Sequence, residues 1–186
     1  MQDLGTVCEV ARGGSPRPIA NFITEDDNGV NWIKIGDADN SRYISRTGEK
    51  IRPEGVSKSR YVHAGDLILS NSMSFGHPYI LKIDGCIHDG WLVLHFSEEV
   101  FNAIFLQTYL GLSETYTIFE SMAAGGVVNN LNSEIVKKLP VLVPPLTQQN
   151  RFADFVQQLD KSKFELEQAL SELTLTYKRI LAENLG

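Results

Sequence analysis

Cysteine is scarce in this 186-residue chain: Cys8 and Cys86 are the only two, and no metal-ligand spacing relates them. That argues against a disulfide framework and for reduced, packed thiols. Long hydrophobic runs are missing too. No window approaches the roughly 18 uninterrupted apolar residues of a membrane span, and the N-terminal MQDLGTVCEV lacks the basic and apolar regions of a signal peptide. The expectation is a cytoplasmic chain with no membrane association.

The devices of common catalytic sites are also absent. There is no Gly-x-Gly-x-x-Gly, no phosphate loop ending in Gly-Lys-Ser/Thr, no Asn-Pro-Pro-aromatic tetrapeptide of amino-methyltransferases and no Glu-x-Lys of a common nuclease core. Ser70, Ser72 and Ser74 have no Gly-x-Ser-x-Gly context, so no nucleophile is indicated. His63, His77, His88 and His95 are scattered. A metal site from Cys86, His88 and His95 is disfavoured, because alternate residues of a strand share a face by periodicity alone. The expectation is a binding module without catalytic residues, cofactor or metal.

What is present begins with a 42% hydrophobic content, enough for a core, in a chain with room for one domain of roughly 140 residues and an appendage. The net charge of −6 is unevenly spread: Met1 to Lys82 holds 10 basic and 10 acidic residues, Ile83 to Gly186 holds 7 and 13. Within Lys34 to Arg60, seven basic residues face four acidic ones, an arginine-rich stretch that reads either as a solvated loop or as a phosphate-contacting patch.

Short β elements fill the first part. GGSPRP is a turn cluster, and VNWIKIGD reads as a strand that stops at Gly36. GDLILS and SFGHPYILKI follow, and Asp84-Gly85 is a two-residue hairpin signal. WLVLHF reads as a strand buried on both faces. Ser97 is the expected N-cap of a helix through Leu110 with Gly111 as its stop, AAGGVVNN a loop, NSEIVKKL a short helix and LPVLVPP a last extended segment. The fold class is α+β: a β-rich domain over residues 1–143 with short helices, and one long C-terminal coiled-coil helix within 144–186.

That tail is regular. Phe152, Leu159, Leu166, Leu173 and Ile180 recur every seven residues, and Val156, Leu170 and Tyr177 fill the positions four residues on. A helix from about Gln149 to Asn184 would run roughly 54 Å, longer than the domain is wide. Its seam needs a partner helix, so an oligomer is implied. Ser162, Lys163, Thr176 and Glu183 interrupt the seam, which weakens pairing but helps to fix register.

AGDLILSNSMSFG, followed by GGVVNNLNSEIVKKLPVLVPPLTQQNRFADFV, resembles the specificity subunit of Type I restriction-modification enzymes, and LGTVCEVARGGSPRP resembles the opening of a target recognition domain of that family. The most specific element is Pro144-Pro145-Leu146 with Gln149, leading into the helix. The resemblance implies a reader of double-stranded DNA. Separate modification subunits would carry S-adenosylmethionine and methylate adenine, and restriction subunits would cleave. The family's subunit carries two recognition domains and two antiparallel helices, so this chain, with one of each, is expected as a half subunit, natural or a fragment, that pairs as a homodimer through its helix. The chemistry of base and phosphate contact nominates Arg42, Arg46, Arg52, Lys58 and Arg60, with Ser70, Asn71, Ser72 and Ser74 after the GDLIL strand. Gly13 and Gly14 fit a tight turn near DNA or a purely structural one. Two other classes stay open: a stand-alone nuclease or methyltransferase with an unrecognised site, and a scaffold whose coiled coil binds protein only.

Overall fold

The computed structural model describes residues 1–72, 75–123 and 131–185. Ser74 and most of the AAGGVVNN loop lie outside them. Strands β1 (Gln2–Asp3), β2 (Cys8–Arg12), β3 (Ile23–Thr24), β4 (Val30–Ile33), β5 (Tyr43–Ile44) and β6 (Glu49–Ile51) precede β7 (Arg60–Val62), β8 (Leu67–Ser70), β9 (Pro78–Leu81), β10 (Gly85–Ile87) and β11 (Trp91–Phe96). Helices α1 (Ala103–Leu110), α2 (Ser113–Ala123) and α3 (Ser133–Lys137) follow, then β12 (Pro140–Val141) and the 40-residue α4 (Leu146–Leu185).

The strands form two five-stranded sheets and a small pair. One sheet runs β2-β11-β8-β9-β5, the other β3-β6-β4-β10-β7, and β1 pairs with β12. The first sheet is the middle layer of the domain. Leu92 and Leu94 of β11, with Leu67 and Leu69 of β8, join the core beneath the helices; Trp91, Val93 and Ile68 point the other way, onto Ile33, Val62 and Ile87 of the second sheet. Two-residue periodicity over a sheet covered on both faces explains why WLVLHF is a nearly continuous apolar run. Trp32, Ile51 and Cys86 form a third cluster on the second sheet, with Ile19, Phe22 and Val56 packed against it.

Several sequence expectations change. β4 ends at Ile33, and Ile35–Asp37 is a 3₁₀ turn in which the Asp37 carboxylate accepts the Lys34 N–H at 2.7 Å. Asp84-Gly85 is not a hairpin, because β9 and β10 enter different sheets: β9 pairs with β8 and β5, and β10 with β4 and β7. Ser97 does not cap α1. Its hydroxyl accepts the Glu99 N–H in a turn, and the cap is Asn102, whose side chain accepts from Ile104 and Phe105. The α2 helix has no counterpart in the sequence reading. The short helix at NSEIVKKL is present as α3, capped by Asn132.

The start of α4 explains Pro144-Pro145-Leu146 and Gln149. The Pro145 carbonyl accepts the Gln148 and Gln149 N–H groups at 2.8 and 3.2 Å. Gln149 is fully buried; its amide donates to the carbonyls of Val100 at 2.9 Å and Pro144 at 2.8 Å, and its oxygen accepts the Asn102 N–H at 3.0 Å. One side chain thus ties the helix to the turn before α1 and to its own proline entry. Ala153 and Val156 continue the buried face, and Phe152 meets Phe105 edge-on at 5.8 Å.

Candidate nucleic-acid interface

The arginine-rich stretch does not make one patch. Arg42, with a side chain only 16% exposed, turns to the root of α4: it pairs with Asp160 at 2.6 and 3.3 Å and donates to Gln107 and to the Thr108 hydroxyl. Its place is that of a brace between domain and helix. Arg46 and Arg52 are exposed in the loops flanking β6, and Lys58 is exposed with its ammonium 4.8 Å from the Phe22 ring centroid. Arg60 donates from Nε to the Arg12 carbonyl at 2.6 Å. Ser70 and Asn71 are buried, at 2% and 3% exposure, which removes them from any surface DNA can reach. The Ser70 hydroxyl accepts the His77 N–H, and the Asn71 amide donates to the Asp89 carbonyl. Ser72 is half-buried, and a Cβ on Gly90 would sit 3.3 Å from its hydroxyl.

Arg60 and Ser72 do belong to one edge, together with residues that sequence reasoning missed. The segment Arg12–Arg17 leaves β2 and docks on the turn His88–Gly90 between β10 and β11. The Gly13 N–H donates to the Trp91 carbonyl and that of Gly14 to Ile87. A Cβ on Gly13 would lie 2.2 Å from the His88 carbonyl oxygen, so close backbone approach accounts for glycine there. The Asp89 carboxylate accepts from the Ser15 hydroxyl at 2.7 Å and from Arg17 at 3.1 Å, and Arg12 donates from Nε to the Asp89 carbonyl at 2.9 Å.

The electrostatics of this edge are those of a cationic cluster around one carboxylate. Burial raises the Asp89 carboxyl, but the Ser15 hydrogen bond and the positive fields of His88 and Arg17 outweigh it and leave the group below its ordinary value. His88 is pushed down from 6.5 mainly by burial, against the pull of Asp89 and with the repulsion of Arg17, Lys34 and Arg12. Its Nδ1 accepts the Gly90 N–H at 2.9 Å, so the neutral ring carries its proton on Nε2, 2.9 Å from Asp89 Oδ1. Arginine side chains, a hydroxyl and an imidazole on one loop edge can donate to phosphate oxygens and base edges. The signal in the sequence was the pair of arginines bracketing Gly-Gly-Ser-Pro. Cys86 is buried in the third core cluster with its thiol pushed up by burial, and Cys8 is pushed up to about 12; among the described residues no group of three His, Cys, Asp or Glu can hold a metal.

The α4 helix supplies the second surface. Val156 is buried against the domain at 7% exposure and lies off the exposed face, on which Phe155 is exposed instead. Phe152, Phe155, Leu159, Leu166, Leu170, Leu173, Tyr177 and Ile180 are between 40% and 71% exposed. With Ser162 they fall within about 40° of the direction of Leu166 at 3.6 residues per turn. Among the described residues no helix is long and apolar enough to cross a membrane.

The fold recurs in solved structures. A chain from a type I R-M system, solved for its complex assembly and conformational transition, aligns with a TM-score of 0.74 at 21% identity, over 96% of this chain and 42% of that one. The HsdS subunit from Thermoanaerobacter tengcongensis gives 0.67 at 19% identity over 90% and 38%, and the S subunit from M. genitalium 0.62 at 18% over 96% and 43%. The chain therefore spans about two fifths of the length of the chains it matches. A family model, the Type I restriction modification DNA specificity domain, matches residues 1–174, and the chain belongs to that family.

Proposed function

We propose that this chain reads a DNA sequence for a Type I restriction-modification system and catalyses nothing itself. S-adenosylmethionine and adenine methylation would belong to modification subunits, and cleavage to restriction subunits. The observation that carries this reading is the edge around Asp89, where Arg12 and Arg17 donate to Asp89 and Arg60 donates to the Arg12 carbonyl, in a chain of net charge −6. Residues 1–143 act as the recognition domain and 144–186 as spacer and dimerisation arm, with Arg46, Arg52 and Lys58 as flanking phosphate contacts.

The arm pairs with a second copy of itself, as the spacing of its exposed face supports. Phe152, Phe155, Leu159, Ser162, Leu166, Leu170, Leu173, Tyr177 and Ile180 are separated by 3, 4, 3, 4, 4, 3, 4 and 3 residues, a series that reads the same in both directions. An antiparallel copy with its two-fold axis at Leu166 would set Phe152 against Ile180, Phe155 against Tyr177 and Leu159 against Leu173. In that register Arg151 of one helix approaches Glu183 of the other, and Lys163 approaches Glu167. Two identical domains so related read a split palindrome.

Sequencing methylated adenines in DNA from cells that carry the chain with its modification subunit tests both parts. The expected result is one chain-dependent motif of two inverted half-sites around unread bases. An absent motif would refute DNA reading, and an asymmetric one would refute the homodimer. The purified chain, supplied with magnesium or S-adenosylmethionine, is expected to leave duplex DNA unchanged.

A further inference from the structure

Among the arginines of the candidate interface, Arg17 combines exposure with anchorage. Its side chain is 74% exposed, yet Nη2 is fixed at 3.1 Å on Asp89 Oδ2. Asp89 is held in turn: Ser15 donates to Oδ1 at 2.7 Å, His88 Nε2 lies 2.9 Å from the same oxygen, and Arg12 Nε and Asn71 Nδ2 donate to its backbone carbonyl at 2.9 and 3.1 Å. His88 is itself fixed by the Gly90 N–H, and Asn71 is buried in the domain. The anchor of Arg17 is therefore continuous with the core.

We propose that Arg17 reads a guanine in the DNA target and that Asp89 is the residue that positions it. A free exposed arginine loses rotamer freedom when it binds, whereas one already clamped along part of its fork has lost much of it beforehand. The remaining N–H groups present the paired donors that match O6 and N7 of guanine in the major groove. The carboxylate also selects the base over the backbone. A phosphate brought to Arg17 would approach the Asp89 charge and be repelled, while the guanine edge carries no net charge. This assignment rests on the DNA-reading function proposed above.

The experiment uses the full chain complexed with its modification subunit, enriching a randomised duplex library. The wild type is expected to select a guanine at a fixed place in each half-site. Arg17→Ala should lower the preference at that place by roughly 5- to 100-fold while the other bases keep theirs. Arg17→Lys keeps the charge without the fork and should lose most of the same preference. Asp89→Asn should weaken discrimination at that one place, with thermal melting to confirm that the variant is folded; if it does not fold, Arg17→Lys still decides the guanine reading, and Ser15→Ala, which removes a hydrogen bond holding the Asp89 carboxylate, decides the positioning by the same measure. A uniform loss at every position with a shallower salt dependence, or an unchanged motif in the Arg17 variants, would overturn the guanine assignment. Unaltered discrimination in a folded Asp89→Asn protein would overturn the positioning role. A wild type that enriches no motif would overturn DNA reading itself, and this assignment with it.

Discussion

Replacing Gln149 with leucine probes the joint between domain and arm. The substitution nearly preserves volume, so cavity effects stay small and the loss is that of the three hydrogen bonds to Val100, Pro144 and Asn102. At about 1 kcal/mol net for each bond, the change should lower stability by roughly 3 kcal/mol. That is a large share of the roughly 5–15 kcal/mol that holds a domain of ordinary stability together. Urea unfolding followed by the emission of the buried Trp32 and Trp91, at one fixed protomer concentration, measures it. The midpoint should fall with the slope unchanged. Gln148→Leu, at the exposed neighbour, is the control and should stay within about 0.5 kcal/mol of wild type. A loss below about 1 kcal/mol at Gln149 would mean that water re-pairs the three backbone groups and that the joint is held by apolar packing alone.

Leu166→Glu combined with Leu173→Glu places carboxylates in the pairing stripe and should give folded monomers by light scattering; an unchanged mass, or a wild type already monomeric under the same conditions, refutes self-pairing. Arg42→Ala removes the Asp160 ion pair and the bonds to Gln107 and Thr108, and because Asp160 is solvent-exposed the expected loss on thermal melting is only about 1–2 kcal/mol, with the DNA motif unchanged. A changed motif would return Arg42 to the DNA surface. His88 has its folded value depressed below 6.5, so its neutral form is favoured by folding and stability should fall as pH drops below that value; His88→Gln should flatten the decline between about pH 6.5 and 5, whereas Asp89, depressed from 3.8, acts only in more acid solution. An equal slope in both proteins would refute it.

Features with local causes were legible in the sequence. The long helix shows in a heptad spacing, the short helix in the run NSEIVKKL, and β11 in six apolar-rich residues. What depended on distant partners was not. Val156 occupies the same heptad slot as Leu170 and Tyr177, and only the packing of the first turns of α4 on the domain buries it. Arg42 resembles any loop arginine until Asp160, 118 residues on, closes on it. Asp84-Gly85 has the chemistry of a hairpin turn, yet β10 is drawn away by parallel pairing with β4. Arg17 and Asp89 are 72 residues apart and meet because Gly13 and Gly14 bond the backbone of Trp91 and Ile87. The edge around Asp89 is a product of tertiary closure, which no single run of the sequence displays.

Strand β11 begins at Trp91, directly after the turn that anchors Arg17, and ends at Phe96, whose ring meets Phe101 beside the Asn102 cap and Gln149. Its six residues span about 17 Å at 3.4 Å per step, flanked by β2 and β8, and the first four are buried. The strand is thus a bracket with the Asp89 edge fixed at one end and the root of the arm at the other. If that edge reads DNA as proposed, loops at the first end can change residue by residue, and with them the bases read, while the arm leaves the second end as before. Under the proposed function, a new target specificity can arise in this scaffold without altering how the arm leaves the domain.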